Sequence, residues 1–413
     1  MPLIRPFTGL RPVREHAADV VAPPYDVLNS TEARQRAAGK PWSFLHISKP
    51  EIDLDPGIDP HDPAVYMQGA TNLRRMMDEK ILFRDDTPCY YLYRLIMGDH
   101  MQTGVVAVAS VEEYDRNRIR KHEFTRPEKE DDRVRQIDAL NAQTGPVFLT
   151  YRHSDAIDAL VDRITTAEPE YDLTADDGVR HILWRVDNAS DVESLSSTFD
   201  AMDYLYIADG HHRSAAASRV AAMRRQNNPK HTGTESYNFF QVVIFPDNQM
   251  EILDYNRVIK DLNGLSETAF LDAVRERFTV TTSNNAIRPE KPGQFGMYLA
   301  GKWYRLDIHA ALVPDDDPVA RLDVSLLQNN LIEPTLGIND PRRDKRIDFV
   351  GGIRGLPELE KRVDSGEMKV AFSLFPTRLE DLMAVADAEK VMPPKSTWFE
   401  PKLADGLVSH VLD

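Results

Sequence analysis

Short runs of β-branched and aromatic residues alternate along this chain with stretches whose apolar positions recur at helical spacing, which predicts strands and helices intermixed from end to end. Residues 89–97 and 103–111, joined across the polar Gly98-Asp99-His100, read as a β-hairpin, and the spacing of Met67, Leu73, Met76 and Met77 predicts a helix over 64–80. Ser30 is read as the cap of a short helix over 31–38, and 134–141 as the end of another. Gly145-Pro146 breaks the chain before an apolar strand at 147–151. Next come a strand at 182–186, a helix opened by the capping box Ser190-Asp191-Val192-Glu193, a strand at 204–208 and a helix over 214–225 that lacks Gly and Pro. Residues 237–245 and 250–255 read as a second hairpin across 246–249, and a third surrounds Ala300-Gly301-Lys302. A helix over 266–278, a strand at 370–375 and a capping box Thr377-Arg378-Leu379-Glu380, opening a helix striped by Leu379, Leu382, Met383 and Ala386, complete the pattern. The expected fold class is α+β with mixed sheets, in segments 1–150, 151–260 and 261–413.

Between the strand at 204–208 and the helix that follows lies Asp209-Gly210-His211-His212-Arg213, read as a turn. A helix opening there points its first unpaired N–H groups outward, and Gly210 lets a ligand come close to the backbone, so the turn is a ready anion site. Arg213 adds a permanently charged donor fork suited to phosphate. The adjacent His211 and His212 supply donors or metal ligands beside the Asp209 carboxylate. The competing reading is a plain Asp-Gly surface turn; four chemically capable residues packed between a buried strand and a helix favour the site.

Three other stretches carry candidate chemistry. Pro23-Pro24 stiffens the segment presenting Tyr25 and Asp26, either to a ligand or to stack Tyr25 on the core. In the charged run 118–133, His122 and Glu123 follow a strand closely, where a carboxylate can act as general base for an alcohol; the same run includes Arg133. Near the C-terminal end, Lys395, Ser396 and Thr397 sit between stiff prolines and suit phosphate or carboxylate recognition.

Composition narrows the partners. The 413 residues are 42% hydrophobic with a formal charge of −16, which argues against a large nucleic-acid footprint or an anionic membrane surface and favours a small-molecule partner. Cys89 is the single cysteine, so neither an intrachain disulfide framework nor a multi-cysteine zinc site is expected. With no stretch of 18 apolar residues and no signal-like start, a soluble cytoplasmic protein is expected.

Four separated stretches, Val21-Ala22-Pro23-Pro24-Tyr25-Asp26-Val27, Lys121-His122-Glu123, Ile207-Ala208-Asp209-Gly210-His211-His212-Arg213 and Met392-Pro393-Pro394-Lys395-Ser396-Thr397, resemble in the same order the bacterial domain-of-unknown-function family 1015. The Asp209–Arg213 motif is also similar to that of the free serine kinases of the ParB/sulfiredoxin superfamily, over about 180–225; Ser214 stands where an aromatic residue usually follows the arginine. This resemblance implies a ParB/sulfiredoxin-like strand-turn-helix unit in the middle segment and a phosphotransferase acting on serine or, in reverse, on phosphoserine. It implies ATP or ADP held by Gly210, His211, His212 and Arg213, with Asp209 placing Mg2+ or the reacting hydroxyl. Glu123, with His122 beside it, is then the catalytic carboxylate, and Tyr25, Asp26, Arg133, Lys395, Ser396 and Thr397 bind the substrate. Two alternatives are a ParB-like nucleotide-regulated DNA-associated protein and a phosphohydrolase whose metal sits on Asp209, His211 and His212.

Overall fold

A computed structural model describes residues 2–412. The described residues form two compact units, one from residues 2–250 together with 401–412 and the other from 251–400. The boundaries differ from the three segments expected, because strands on both sides of residue 150 join one sheet.

That sheet of the first unit has nine strands: β1 (Ile4–Arg5), β2 (Tyr90–Met97), β3 (His100–Ser110), β4 (Ile119–Arg120), β5 (Val147–Tyr151), β6 (Tyr171–Thr174), β7 (Arg180–Val186), β8 (Leu205–Asp209) and β9 (Phe239–Pro246). Its order is β4-β8-β5-β9-β3-β2-β7-β6, with β1 continuing on β3 beyond the end of β2. The expected first hairpin is β2–β3. The expected second hairpin is not formed. β9 is buried along its whole length and lies between β3, antiparallel, and β5, parallel, while Glu251–Leu253 pairs with Trp398–Glu400 in the other unit. An unbroken apolar run such as Phe239-Phe240-Gln241-Val242-Val243-Ile244-Phe245 suits a central strand covered on both faces better than a hairpin arm.

The sheet core is built from Leu92, Val105, Ala107, Leu149, Trp184, Ile207 and Ile244, closed by Leu195 and Phe199 from the Ala189–Asp200 helix. A second cluster gathers Phe44, Leu45 and Ile47 with Leu73 and Met76 of α1 (Pro63–Asp78) and Leu140 of α2 (Pro127–Leu140). Ile137 of α2 packs with Ala216 and Val220 of α3 (His211–Asn227) and with Leu412. Arg219 of α3 reaches Glu130 at 3.2 Å and Asp131 at 2.6 Å on α2. The end of the chain is woven into this unit by backbone bridges of Ser409 to Leu10 and Asp405 to Ala22.

Helix starts are corrected locally. Asn29, not Ser30, caps the Ser30–Ala37 helix, in a reciprocal capping box with Glu32. Asn188 caps Ala189–Asp200 by accepting the Ser190 N–H, so the Ser190 box is not used. Arg378 precedes Leu379–Asp387 with no side-chain cap, because the Thr377 hydroxyl donates to the Ser396 carbonyl instead.

The second unit is a six-stranded antiparallel sheet in the order Phe278–Ser283, Lys302–Ile308, Gln294–Leu299, Val370–Leu374, Tyr255–Ile259, Ile347–Gly351. It contains the third hairpin as expected, and the helix after Ser266 ends at Arg275, so Phe278 opens a strand. Among the described residues no helix is long and apolar enough to cross a membrane.

Candidate active site

β8 ends at Asp209, and Gly210 then takes φ 100° and ψ 26°. That left-handed conformation is ill suited to a side chain, and a Cβ here would lie 3.3 Å from the Val147 Cα. α3 begins immediately, so His211, His212 and Arg213 are its first turn and not a loop ahead of it. With glycine as N-cap, no side chain covers the open N–H groups of that turn.

The Asp209 carboxylate accepts the Gly210 N–H at 2.8 Å through one oxygen, and Lys402 Nζ lies 3.4 Å from the other. Burial pushes this carboxyl up, yet Lys402, Arg213 and the Gly210 N–H together outweigh it and hold Asp209 well below the usual carboxylate range.

The two histidine rings are turned to the backbone of residues 122–126. His211 Nε2 accepts the backbone N–H of His122 at 3.3 Å, and His212 Nε2 accepts that of Arg126 at 3.1 Å. Both rings are therefore neutral with the proton on Nδ1, and burial holds both pKa values below the ordinary histidine value. Between these anchors lies Glu123, exposed, with Oε2 3.6 Å from His211 Nδ1. His122 is buried and packs edge-on against His211 at 4.4 Å between ring centres. Burial moves its pKa down to about 4, and its Nδ1 has no hydrogen-bond partner, so His122 sits beneath the surface as packing and not as a proton carrier facing substrate.

A second charged group adjoins the turn. The Arg213 guanidinium donates to the Pro146 carbonyl and, at 3.0 Å, to Asp26. It lies 5.7 Å from the centre of the Tyr25 ring, and Arg133 lies 3.9 Å from the same ring while bonding Asp132 at 2.6 Å. Asp405, 2% exposed, completes this group. Burial pushes its carboxyl up to about 7, against the pull of Arg213 and with the push of Asp26. Tyr25, Arg133, Arg213 and Asp405 line a cavity of about 40 Å3, room for ordered water, into which Gln143 and Gln241 also face.

The first unit thus brings together Tyr25, Asp26, His122, Glu123, Arg133 and the Asp209–Arg213 turn. Lys395, Ser396 and Thr397 belong to the other unit, and there the Ser396 hydroxyl is spent on the Pro393 carbonyl at 2.6 Å while Lys395 Nζ lies 5.5 Å from the Tyr255 ring centre. Among the described residues no three His, Cys, Asp or Glu side chains are grouped to hold a metal ion, so Asp209, His211 and His212 do not form the triad of the phosphohydrolase alternative. Their imidazoles are turned to the 122–126 backbone instead. Sequence reasoning missed Lys402 and Asp405 as site residues; the Asp405-Gly406 dipeptide signals only a turn.

A family model described as protein of unknown function (DUF1015) matches residues 4–325. No curated protein matches. Among solved structures, a free serine kinase in complex with AMP is 12% identical, with 73% of this chain and 92% of that one covered and a TM-score of 0.36. A conserved hypothetical protein from Pyrococcus furiosus is 14% identical over 73% and 94%, TM-score 0.34. SbnI with a C-terminal truncation, from Staphylococcus aureus, is 10% identical over 72% and 84%, TM-score 0.38.

Proposed function

Since the chain belongs to the DUF1015 family, which is defined without an activity, we propose its function from the site itself: a nucleotide-dependent phosphotransferase acting on a small-molecule hydroxyl, serine in one direction or phosphoserine in the other. The observation that carries this reading is the uncapped first turn of α3 behind a left-handed Gly210, with Asp209, Lys402 and Glu123 around it.

In this reading the backbone N–H groups of the first turn, assisted by Lys402, hold the phosphates of ATP or ADP. The imidazoles of His211 and His212 fix the loop that carries Glu123. Glu123 takes the proton of the substrate hydroxyl as its oxygen attacks the terminal phosphorus, and the bond from that phosphorus to the ADP oxygen breaks. Asp209, ionised and partly exposed, fits a magnesium ion that arrives with the nucleotide, since Mg2+ is commonly bound by one or two carboxylates plus phosphate oxygens. The ion would neutralise phosphate charge. Arg213 and Arg133, with Tyr25 between them, form the anion-recognising wall for the substrate's own carboxylate or phosphate.

The test is to incubate the protein with magnesium, ADP and phosphoserine, and separately with ATP and serine, and to follow both nucleotides by chromatography. Turnover in either tube, abolished by Arg213→Ala in a variant that retains its circular dichroism, supports the reading. No nucleotide binding to the wild type overturns it.

A further inference from the structure

The 251–400 unit holds a larger cavity, of about 270 Å3, that shares no residue with the site above. Ligand pockets run from about 300 to 1,000 Å3, so this one suits a small metabolite rather than a nucleotide. One part of its wall is apolar, from Ile308, Val313, Leu326 and Phe375.

Its charged groups divide into committed and uncommitted ones. Arg378 is gripped through two nitrogens by Asp381, both at 2.8 Å, and Asp307 takes Arg305 at 2.8 Å and Gln294 at 3.3 Å. Asp323 is different. One of its oxygens accepts the Gly293 N–H at 2.8 Å, while the other is enclosed with no hydrogen-bond partner. Burial pushes this carboxyl up to about 7, and no group of the protein is within hydrogen-bond reach of that second oxygen. Lys291 and Arg321 also line the cavity, are exposed, and make no side-chain hydrogen bond or ion pair among the described residues. The uncommitted features are therefore one enclosed carboxyl, two cations nearer solvent, and an apolar wall.

We propose that this cavity binds a free α-amino acid with an apolar side chain, its ammonium on Asp323, its carboxylate on Lys291 and Arg321, and its side chain against Ile308, Val313 and Phe375. A plain amine leaves the two cations unanswered. An N-acylated amino acid has no ammonium for Asp323.

Calorimetric titration of the full chain with L-valine, L-leucine, L-methionine and L-phenylalanine tests this, with N-acetyl-L-leucine and 3-methylbutylamine as controls. At least one free amino acid binds at one per chain and the controls do not. Asp323→Asn and Arg321→Ala each weaken that binding by about tenfold or more, as expected for losing a charge-assisted hydrogen bond. Arg321 is exposed, so its variant retains the fold and keeps the test decisive where Asp323→Asn does not fold. Arg213→Ala, in the other unit, leaves the binding unchanged. Absence of binding by all four amino acids, equal binding of a control, or binding unchanged by Arg321→Ala overturns the proposal.

Discussion

His211 Nε2 accepts the backbone N–H of His122 at 3.3 Å, so the first residue of α3 fastens the loop that carries Glu123. The donor is buried at this point, and replacing His211 by Ala leaves it without an acceptor, at a cost of about 1–3 kcal/mol. His211→Gln places an amide oxygen at the reach of Nε2 and recovers part of that loss. Urea unfolding should order the three as wild type, Gln, Ala. Amide exchange at His122 should quicken most in the Ala variant; unchanged exchange there would refute the role.

Gly210→Ala tests the turn directly. The new Cβ meets Val147 Cα at 3.3 Å, and φ of 100° is hostile to any side chain. Strain of this type costs about 1–3 kcal/mol, visible as a lowered thermal midpoint. The proposed phosphate site should weaken with it, since the same turn orients the N–H groups. A variant with wild-type stability would show that the backbone relaxes freely.

The strand into this turn and the helix out of it were legible in the sequence because both rest on local periodicity. The helix start was placed late, at 214 and not at His211, because two histidines and an arginine read as loop residues; the positive φ of Gly210 lets α3 begin at once. The role of the histidines was hidden for a different reason. Their acceptors serve backbone N–H groups of His122 and Arg126, almost ninety residues back along the chain, and backbone donors leave no mark on residue identity. Asp405 and Lys402 were invisible as site residues likewise, since the pairing of Asp405 with Ala22 joins opposite ends of the chain and no local spacing encodes it. The run 237–245 misled by its apolar continuity: its partners are β3 and β5, not the next segment.

Phe124, next to Glu123 in the anchored loop, is 75% exposed. An aromatic ring left in water beside a proposed nucleotide site is a surface for the base, and base–aromatic stacking contributes about 1–3 kcal/mol by alanine substitution. Phe124→Ala should therefore weaken ADP binding by about tenfold without lowering the thermal midpoint, whereas Phe124→Trp should keep it. Titration with ADP and with inorganic pyrophosphate separates the contributions: only the nucleotide should respond. Equal weakening of both would place the effect on the phosphates.

Asp405 gives the stability a distinct pH signature. Its carboxyl is raised to about 7 in the folded chain, chiefly by burial, with Asp26 adding and Arg213, Arg133 and the Tyr25 backbone opposing. In the unfolded chain an aspartate titrates near 3.9. Between about pH 4 and pH 7 the folded protein thus holds a proton that the unfolded one has released. The contribution is complete below about pH 4 and is lost as pH rises through about 7, so it slopes downward across that window. Asp405→Asn mimics the protonated carboxyl and removes the slope. The wild type should lose stability relative to this variant from about pH 4 to pH 7, with a constant difference above. The buried His122, depressed to about 4, and the other titrating groups are common to both proteins and cancel in the comparison. Urea unfolding of the pair at half-unit intervals measures the difference; one that stays flat through the window would mean that Arg213 and Arg133 keep Asp405 ionised in the folded state.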